Sequence, residues 1–184
     1  MPLFRSGRGG STPTSALQFN IRVVPYDVAE KLNECWHSRM PKIGMAVCCK
    51  PCFTAEHDDI SYAIAMWSRP VAANRITRGE YCLELRRMAV APDAPPNTAS
   101  RMLRIMKNHI KRTMPEIERL ISYQDTEVHK GTIYKAAGWK AVLVSEYQAW
   151  TDSGNRRPQK NVQSEAAKAR WEFSLQNAES EDLT

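Results

Sequence analysis

A strand-like run that passes straight into an amphipathic helix constrains this chain more than any other feature. Residues 80–90 read as a strand, and residues 97–113 carry Met102, Leu103, Met106 and Ile110 at helical spacing, which gives that helix one face to lay on a sheet. The junction is Ala91-Pro92-Asp93-Ala94-Pro95-Pro96-Asn97-Thr98-Ala99-Ser100, built of small residues and prolines. Free amides at a helix start and the positive end of the helix dipole make such a junction a natural seat for a pyrophosphate. Thr98, Ala99 and Ser100 are small enough to permit close approach. The plainer reading is an ordinary helix start, with Asn97 as cap and the prolines stiffening the turn.

The rest of the chain supplies further strands for that helix to cover. Residues 17–25 suit an opening strand, and Asp27 reads as the cap of a helix running to Trp36. Residues 42–49 and 60–68 read as a hairpin around a wide loop containing Lys50, Pro51, Glu56 and His57. Residues 120–123 form a short strand, residues 132–137 a short helix that Gly138 can end, and residues 140–149 another strand. The expected order is β-α-β-β-β-α-β-α-β, an α+β fold with a mixed, mostly antiparallel central sheet flanked by helices. Residues 168–173 are expected to add a last edge strand.

A length of 184 residues suits one domain. We expect a disordered leader over 1–15, the domain over 16–150, and a basic tail over 151–184. No run approaches the roughly 18 apolar residues of a membrane span, and the N-terminus lacks the apolar core of a secretory signal, so a cytoplasmic protein without membrane partners is expected. Five cysteines, an odd number, fit reduced thiols better than a disulfide framework. The net charge of +6 and pI near 9.2 suit a polyanionic partner, although a merely basic protein would show the same values.

A second motif, Tyr134-Lys135-Ala136-Ala137-Gly138-Trp139, follows the strand after the amphipathic helix. Strand, pyrophosphate loop, helix, strand and Tyr-x-x-x-Gly-aromatic, in that order, resemble the GNAT acyltransferases over roughly residues 60–147. The resemblance implies acetyl-CoA or another acyl-CoA, held by Met88, Ala89, Val90, Asn97, Thr98, Ala99, Ser100 and Arg101 in a cleft between splayed strands near Met88 and Ser122. The family's glycine-rich loop is absent, since Pro96-Asn97-Thr98-Ala99-Ser100 stands in its place. A narrower set, comprising Pro96, Asn97, Ser100, Ser122, Tyr123, Asp125, Gly131, Thr132, Ile133 and Tyr134, is similar to the phage-encoded Mom-type DNA-modification branch of that superfamily. That likeness implies conversion of adenine N6 to a methylcarbamoyl form in double-stranded DNA, as protection of phage genomes from restriction in the cytoplasm of a bacterial host. It carries Tyr134 and Asp125 over as the catalytic pair. His37, with Ser38 and Pro41, matches the branch's upstream region at imperfect spacing.

Tyr134, with an ordinary phenol pKa of about 10, holds its proton at neutral pH and can act as a general acid; its alternative is a core aromatic. Asp125 can accept a proton or orient an amino group, or serve only its turn. Glu84 is a second candidate base, with a solvated strand charge as the plainer account. Ser122, Tyr123, His129, Lys130, Arg156 and Arg157 are candidates for substrate or DNA contact. Arg86, Arg87, Arg101, Arg104, Lys107, Lys111 and Arg112 read as a polar face open to DNA. Cys48, Cys49, Cys52 and His57 invite a zinc reading, but the pattern has one two-residue gap and no second pair, so no metal is expected. Two other functions remain open: conventional N-acetylation of a protein or small amine, and DNA binding without turnover.

Overall fold

The computed structural model describes residues 11–37, 49–70, 81–145 and 167–176. Among them a seven-stranded sheet runs in the order β1-β2-β3-β4-β5-β7-β6. The strands are β1 (Asn20–Val24), β2 (Cys52–His57), β3 (Ile60–Ser68), β4 (Cys82–Val90), β5 (Arg119–Asp125), β6 (Lys140–Ser145) and β7 (Lys168–Ser174). The helices are α1 (Tyr26–Trp36), α2 (Thr98–Thr113) and α3 (Thr132–Ala136), after an opening 3-10 turn at Ala16–Gln18. Only β4 and β5 pair in parallel, because the crossover through α2 returns the chain in the same direction. The expected α+β class and mostly antiparallel sheet are what the chain adopts.

The two sheet faces bury separate cores. On the α2 and α3 side, Ala63, Ala65 and Trp67 of β3 meet Met102, Leu103, Met106 and Ile110 of α2, all of them buried. The alternate β3 residues Ile64 and Met66 meet Ala29 and Leu32 of α1 on the other side. A strand covered on both faces reads as one apolar run, which is why β3 was legible. The hairpin before it differs from expectation. β2 occupies residues taken for a wide loop, and Asp58-Asp59, both with positive φ (47° and 61°), turn the chain in two residues. Residues 42–48 of the expected strand lie outside the described residues. At the start of α1, Pro25 holds the cap position, and Asp27 lies in the first turn.

Near the N-terminus, Ser11 bonds Asp58 (3.2 Å) and Ser15 caps the 3-10 turn, so residues 11–15 of the leader expected over 1–15 are tied to the domain. At the other end, Lys168–Ser174 does form a strand, but inside the sheet: β7 pairs with β5 and with β6, and β6 takes the edge. Strand insertion is a long-range event that local pattern cannot report. No helix among the described residues is long and apolar enough to cross a membrane.

Candidate active site

Strand β4 carries one extra residue. Met66 faces Arg87 and Trp67 faces Leu85, which leaves Arg86 as a bulge. The insertion exchanges the faces of β4. Leu83 and Leu85 join the α2-side core before it; Met88 and Val90 do so after it, with Ala89 turned to the α1 side. Pairing of β4 with β5 stops at Leu85↔Ser122, although the strands continue to Val90 and Asp125. The two strands therefore part at the bulge, and the β5-facing edge of residues 86–90 has no strand partner among the described residues.

Past the end of β4, Ala91 to Asn97 turns into α2. Asn97 takes the cap position in a left-handed conformation (φ 67°) and makes no side-chain cap. An N-cap is normally extended; the left-handed backbone is one that glycine adopts freely and asparagine tolerates better than most. Asn97 thus stands where a glycine would, and the loop forms without a glycine-rich stretch. Thr98 Oγ1 donates to the Pro95 carbonyl (2.7 Å) and Ser100 Oγ to the Asn97 carbonyl (3.0 Å). Both hydroxyls are spent on carbonyls, and the Asn97 side chain does not cap the first amides of α2. Arg101 Nε, also in the first turn, is buried without a hydrogen-bond partner among the described residues.

Where the strands part, on the α2 and α3 side, lies a buried pair of hydroxyls. Tyr134 of α3 and Ser122 of β5 are 2.8 Å apart, and either can donate. Burial pushes the Tyr134 phenol above its ordinary value of 10.0, while the bond with Ser122 pulls the other way. The ring stacks on Trp171 of β7 (centroids 5.2 Å apart, planes 14° apart) and meets Trp139 edge-on (5.7 Å). Trp171 Nε1 donates to Gln124 Oε1 (2.6 Å), and Gln124 Nε2 donates to the His129 carbonyl. Gly131 (φ +70°) fits against this group because it lacks a Cβ, which would come within 2.3 Å of the Trp171 ring.

The opposite face is charged. Glu84, 6% exposed, pairs with Arg86 at 2.6 Å; it is a buried, ion-paired side chain and not a solvated strand charge. Arg87 is also buried; Arg87 Nη1 donates to the Arg86 carbonyl (2.7 Å), and neither Arg86 Nε nor Arg87 Nε has a hydrogen-bond partner among the described residues. The polar face expected of these arginines is therefore not formed by Arg86 and Arg87. On α2, Arg104 and Arg112 are exposed, whereas Lys107 lies 4.1 Å over the Phe173 ring. His37, at the end of α1, is half-buried, and burial followed by the charges of Arg87 and His129 holds its pKa below 6.5.

Asp125 and Tyr123 alternate with Ser122 and Gln124 along β5, so they project from the sheet face opposite Tyr134. Tyr123 is exposed, Asp125 Oδ1 accepts from the Glu127 amide (3.0 Å), and His129 and Lys130 lie exposed in the loop to α3. Tyr134 is thus brought to Ser122 and not to Asp125. Arg156 and Arg157, together with Cys48, lie outside the described residues. Cys52 and His57 stand at opposite ends of β2, about 17 Å apart by strand rise. No cluster of three metal-ligating side chains occurs among the described residues. Gln124 and Trp171 were not singled out from sequence; Gly131, in Gly-Thr-Ile-Tyr, was the one signal pointing to that neighbourhood.

A sheet opened between two parallel strands, with a helix start facing the opening, defines a GNAT acetyltransferase fold, and solved structures agree. The Escherichia coli ribosomal-protein-S18-alanine N-acetyltransferase superposes with a TM-score of 0.55 at 12% identity, covering 85% of this chain and 94% of that one. Vibrio cholerae spermidine N-acetyltransferase in complex with CoA and spermine gives 0.57 at 11% identity, covering 87% and 97%. A Bacillus subtilis acetyltransferase in complex with CoA gives 0.52 at 10% identity, covering 85% and 98%. No curated protein sequence matches. The chain belongs to the Mom protein family, whose profile matches residues 60–183.

Proposed function

We propose that this protein is an acyl-CoA-dependent transferase that modifies double-stranded DNA, converting adenine N6 to a methylcarbamoyl form as phage protection against restriction in the host cytoplasm. The observation that carries this reading is the parting of β4 from β5 at Leu85↔Ser122, with the start of α2 beyond one strand and the Ser122–Tyr134 pair beside the other. Membership of the Mom family supports DNA as acceptor, as does the net charge of +6.

The residues present fit an acyl-CoA. Thr98, Ala99 and Ser100 offer amides that the Asn97 side chain does not cap, Arg101 offers a buried Nε without a hydrogen-bond partner among the described residues, and residues 86–90 offer a strand edge that β5 does not pair. When bound, the thioester would supply an acyl group and a thiolate leaving group; the methylcarbamoyl form is joined through a carbon other than the thioester carbonyl, so plain acyl transfer does not by itself produce it. The chain's own part is to hold and deliver protons in a water-poor place. Tyr134 Oη is protonated at neutral pH, as an ordinary phenol already is and as burial reinforces, and it would be the proton donor to a departing thiolate. Ser122 Oγ fixes the phenol direction. Asp125, on the other face, serves the acceptor amino group, with Tyr123, His129 and Lys130 beside the DNA.

The test is mass spectrometry of nucleosides from plasmid DNA of cells expressing the wild-type chain or Tyr134→Phe. A new adenosine mass present only with wild type is expected. An unchanged nucleoside profile from a folded, expressed protein would instead favour amine acetylation, the activity named for two of the structural neighbours.

A further inference from the structure

Trp171 lies in the tail strand, far from Tyr134 in sequence, yet it is the Cα partner of Ser122 across β5 and β7 and so shares its face of the sheet. Its ring covers one face of the Tyr134 ring. The indole Nε1 donates to Gln124 Oε1 at 2.6 Å, which adds a directional anchor to the packing of the ring. Gln124 is itself held at its other end, because its Nε2 donates to the His129 carbonyl. Flipping the amide would set a donor against the indole N–H and an oxygen against a carbonyl, so the pair has one workable orientation. Gly131 closes the remaining side, since no Cβ fits between its backbone and Trp171 or Gln124.

We propose that Gln124 and Trp171 are positioning residues for Tyr134: they lock the ring, exclude water from its hydroxyl and aim that hydroxyl at Ser122 and the cleft between β4 and β5. This rests on the reading of Tyr134 as the proton donor. The last strand of the chain thereby contributes to the site as well as to the sheet. A structural role alone would alter stability; a positioning role also alters the phenol.

The experiment uses the full chain with Gln124→Ala and, separately, Trp171→Phe, which keeps a stacked ring and deletes the N–H. Ionisation of Tyr134 is read from tyrosinate absorbance as the difference between each protein and the same protein carrying Tyr134→Phe. Gln124→Ala should lower the ionisation midpoint by about one pH unit, a tenfold change in proton affinity. It should also cut the yield of modified nucleoside by about 10–100-fold, the scale of a misplaced group. Trp171→Phe should move both in the same direction by less. Folded variants with the wild-type midpoint overturn the proposal, and so does loss of folding in both, which would assign the pair to the core. If the wild-type chain modifies no nucleoside, the DNA reading fails, while the phenol titration still decides the positioning role.

Discussion

The two faces of the sheet at the point where β4 leaves β5 are built on opposite electrostatic plans. The α2 and α3 face holds neutral groups: Tyr134, Ser122, Gln124 and Trp171, each with a hydrogen bond inside the group. The α1 face holds charges: Glu84 on Arg86, buried Arg87, and His37 close enough to feel Arg87 and His129. A neutral, water-poor pocket suits a phenol that must keep its proton. A buried cationic face keeps a histidine neutral instead. The bulge at Arg86 lets Glu84 and Arg87 share the α1 face by reversing the alternation of β4 between them.

Steric disruption of the neutral face should have the largest effect. Gly131→Ala forces a Cβ to within 2.3 Å of Trp171 at a left-handed φ of +70°. The loss should be about 4 kcal/mol from overpacking and backbone strain, measured by denaturant unfolding; a loss below about 1 kcal/mol would show that Trp171 can move aside. On the charged face, Glu84→Gln leaves Arg86 without its carboxylate and should destabilise by about 3 kcal/mol. Equal stability would mean that solvent, and not Glu84, satisfies Arg86.

Ser122→Ala sharpens the contrast at smaller cost. It removes one partner of a buried pair and should lose about 1–2 kcal/mol by the same unfolding assay. Modification should fall with it, whereas an unaltered yield would remove Ser122 from the proposed mechanism.

The smallest effects are those of pH, and they have opposite sign at the two ends. Burial places the folded pKa of His37 below 6.5, so the unfolded chain binds more protons below that value, and stability should fall as pH drops through 6.5. Tyr134 is raised above 10.0, so its contribution is complete below pH 10.0 and is lost as pH rises towards its folded value. Tyr26, bonded to Glu30 at 2.8 Å and pushed up to about 12, adds to the alkaline loss from the α1 side. Thermal melts of Tyr134→Phe and His37→Gln should each flatten one limb of the stability profile. A variant that flattened neither limb would place the titration elsewhere.

How much was legible varies with the range of the interaction. Helix α2 was readable because Met102, Leu103, Met106 and Ile110 share one face, and Tyr134 drew attention through the resemblance carried by Tyr-x-x-x-Gly-aromatic. Hairpin β2–β3 was misplaced because Asp58-Asp59 looks like open loop until both residues are seen at positive φ. The plainer accounts of Glu84, beside its candidacy as a base, and of Arg86 were surface charges, because only pairing and burial distinguish a solvated ion from a buried one. Trp171 and Gln124 carried no signal, since nothing local ties residue 171 to residue 124.

By itself, then, the sequence determined the α+β class and the strand-to-helix junction at Asn97, because each depends on periodicity or spacing within a short stretch of chain, while Tyr134 entered as a candidate through a family resemblance carried by its local motif. Tertiary structure alone decided that the strands part at Arg86, that Asp125 and Tyr134 lie on opposite faces, and that β7 enters the sheet to stack Trp171 on Tyr134. Each of those outcomes is a matter of register between distant strands. A shift of one residue there turns a side chain to the other face of the sheet, and no local pattern records it.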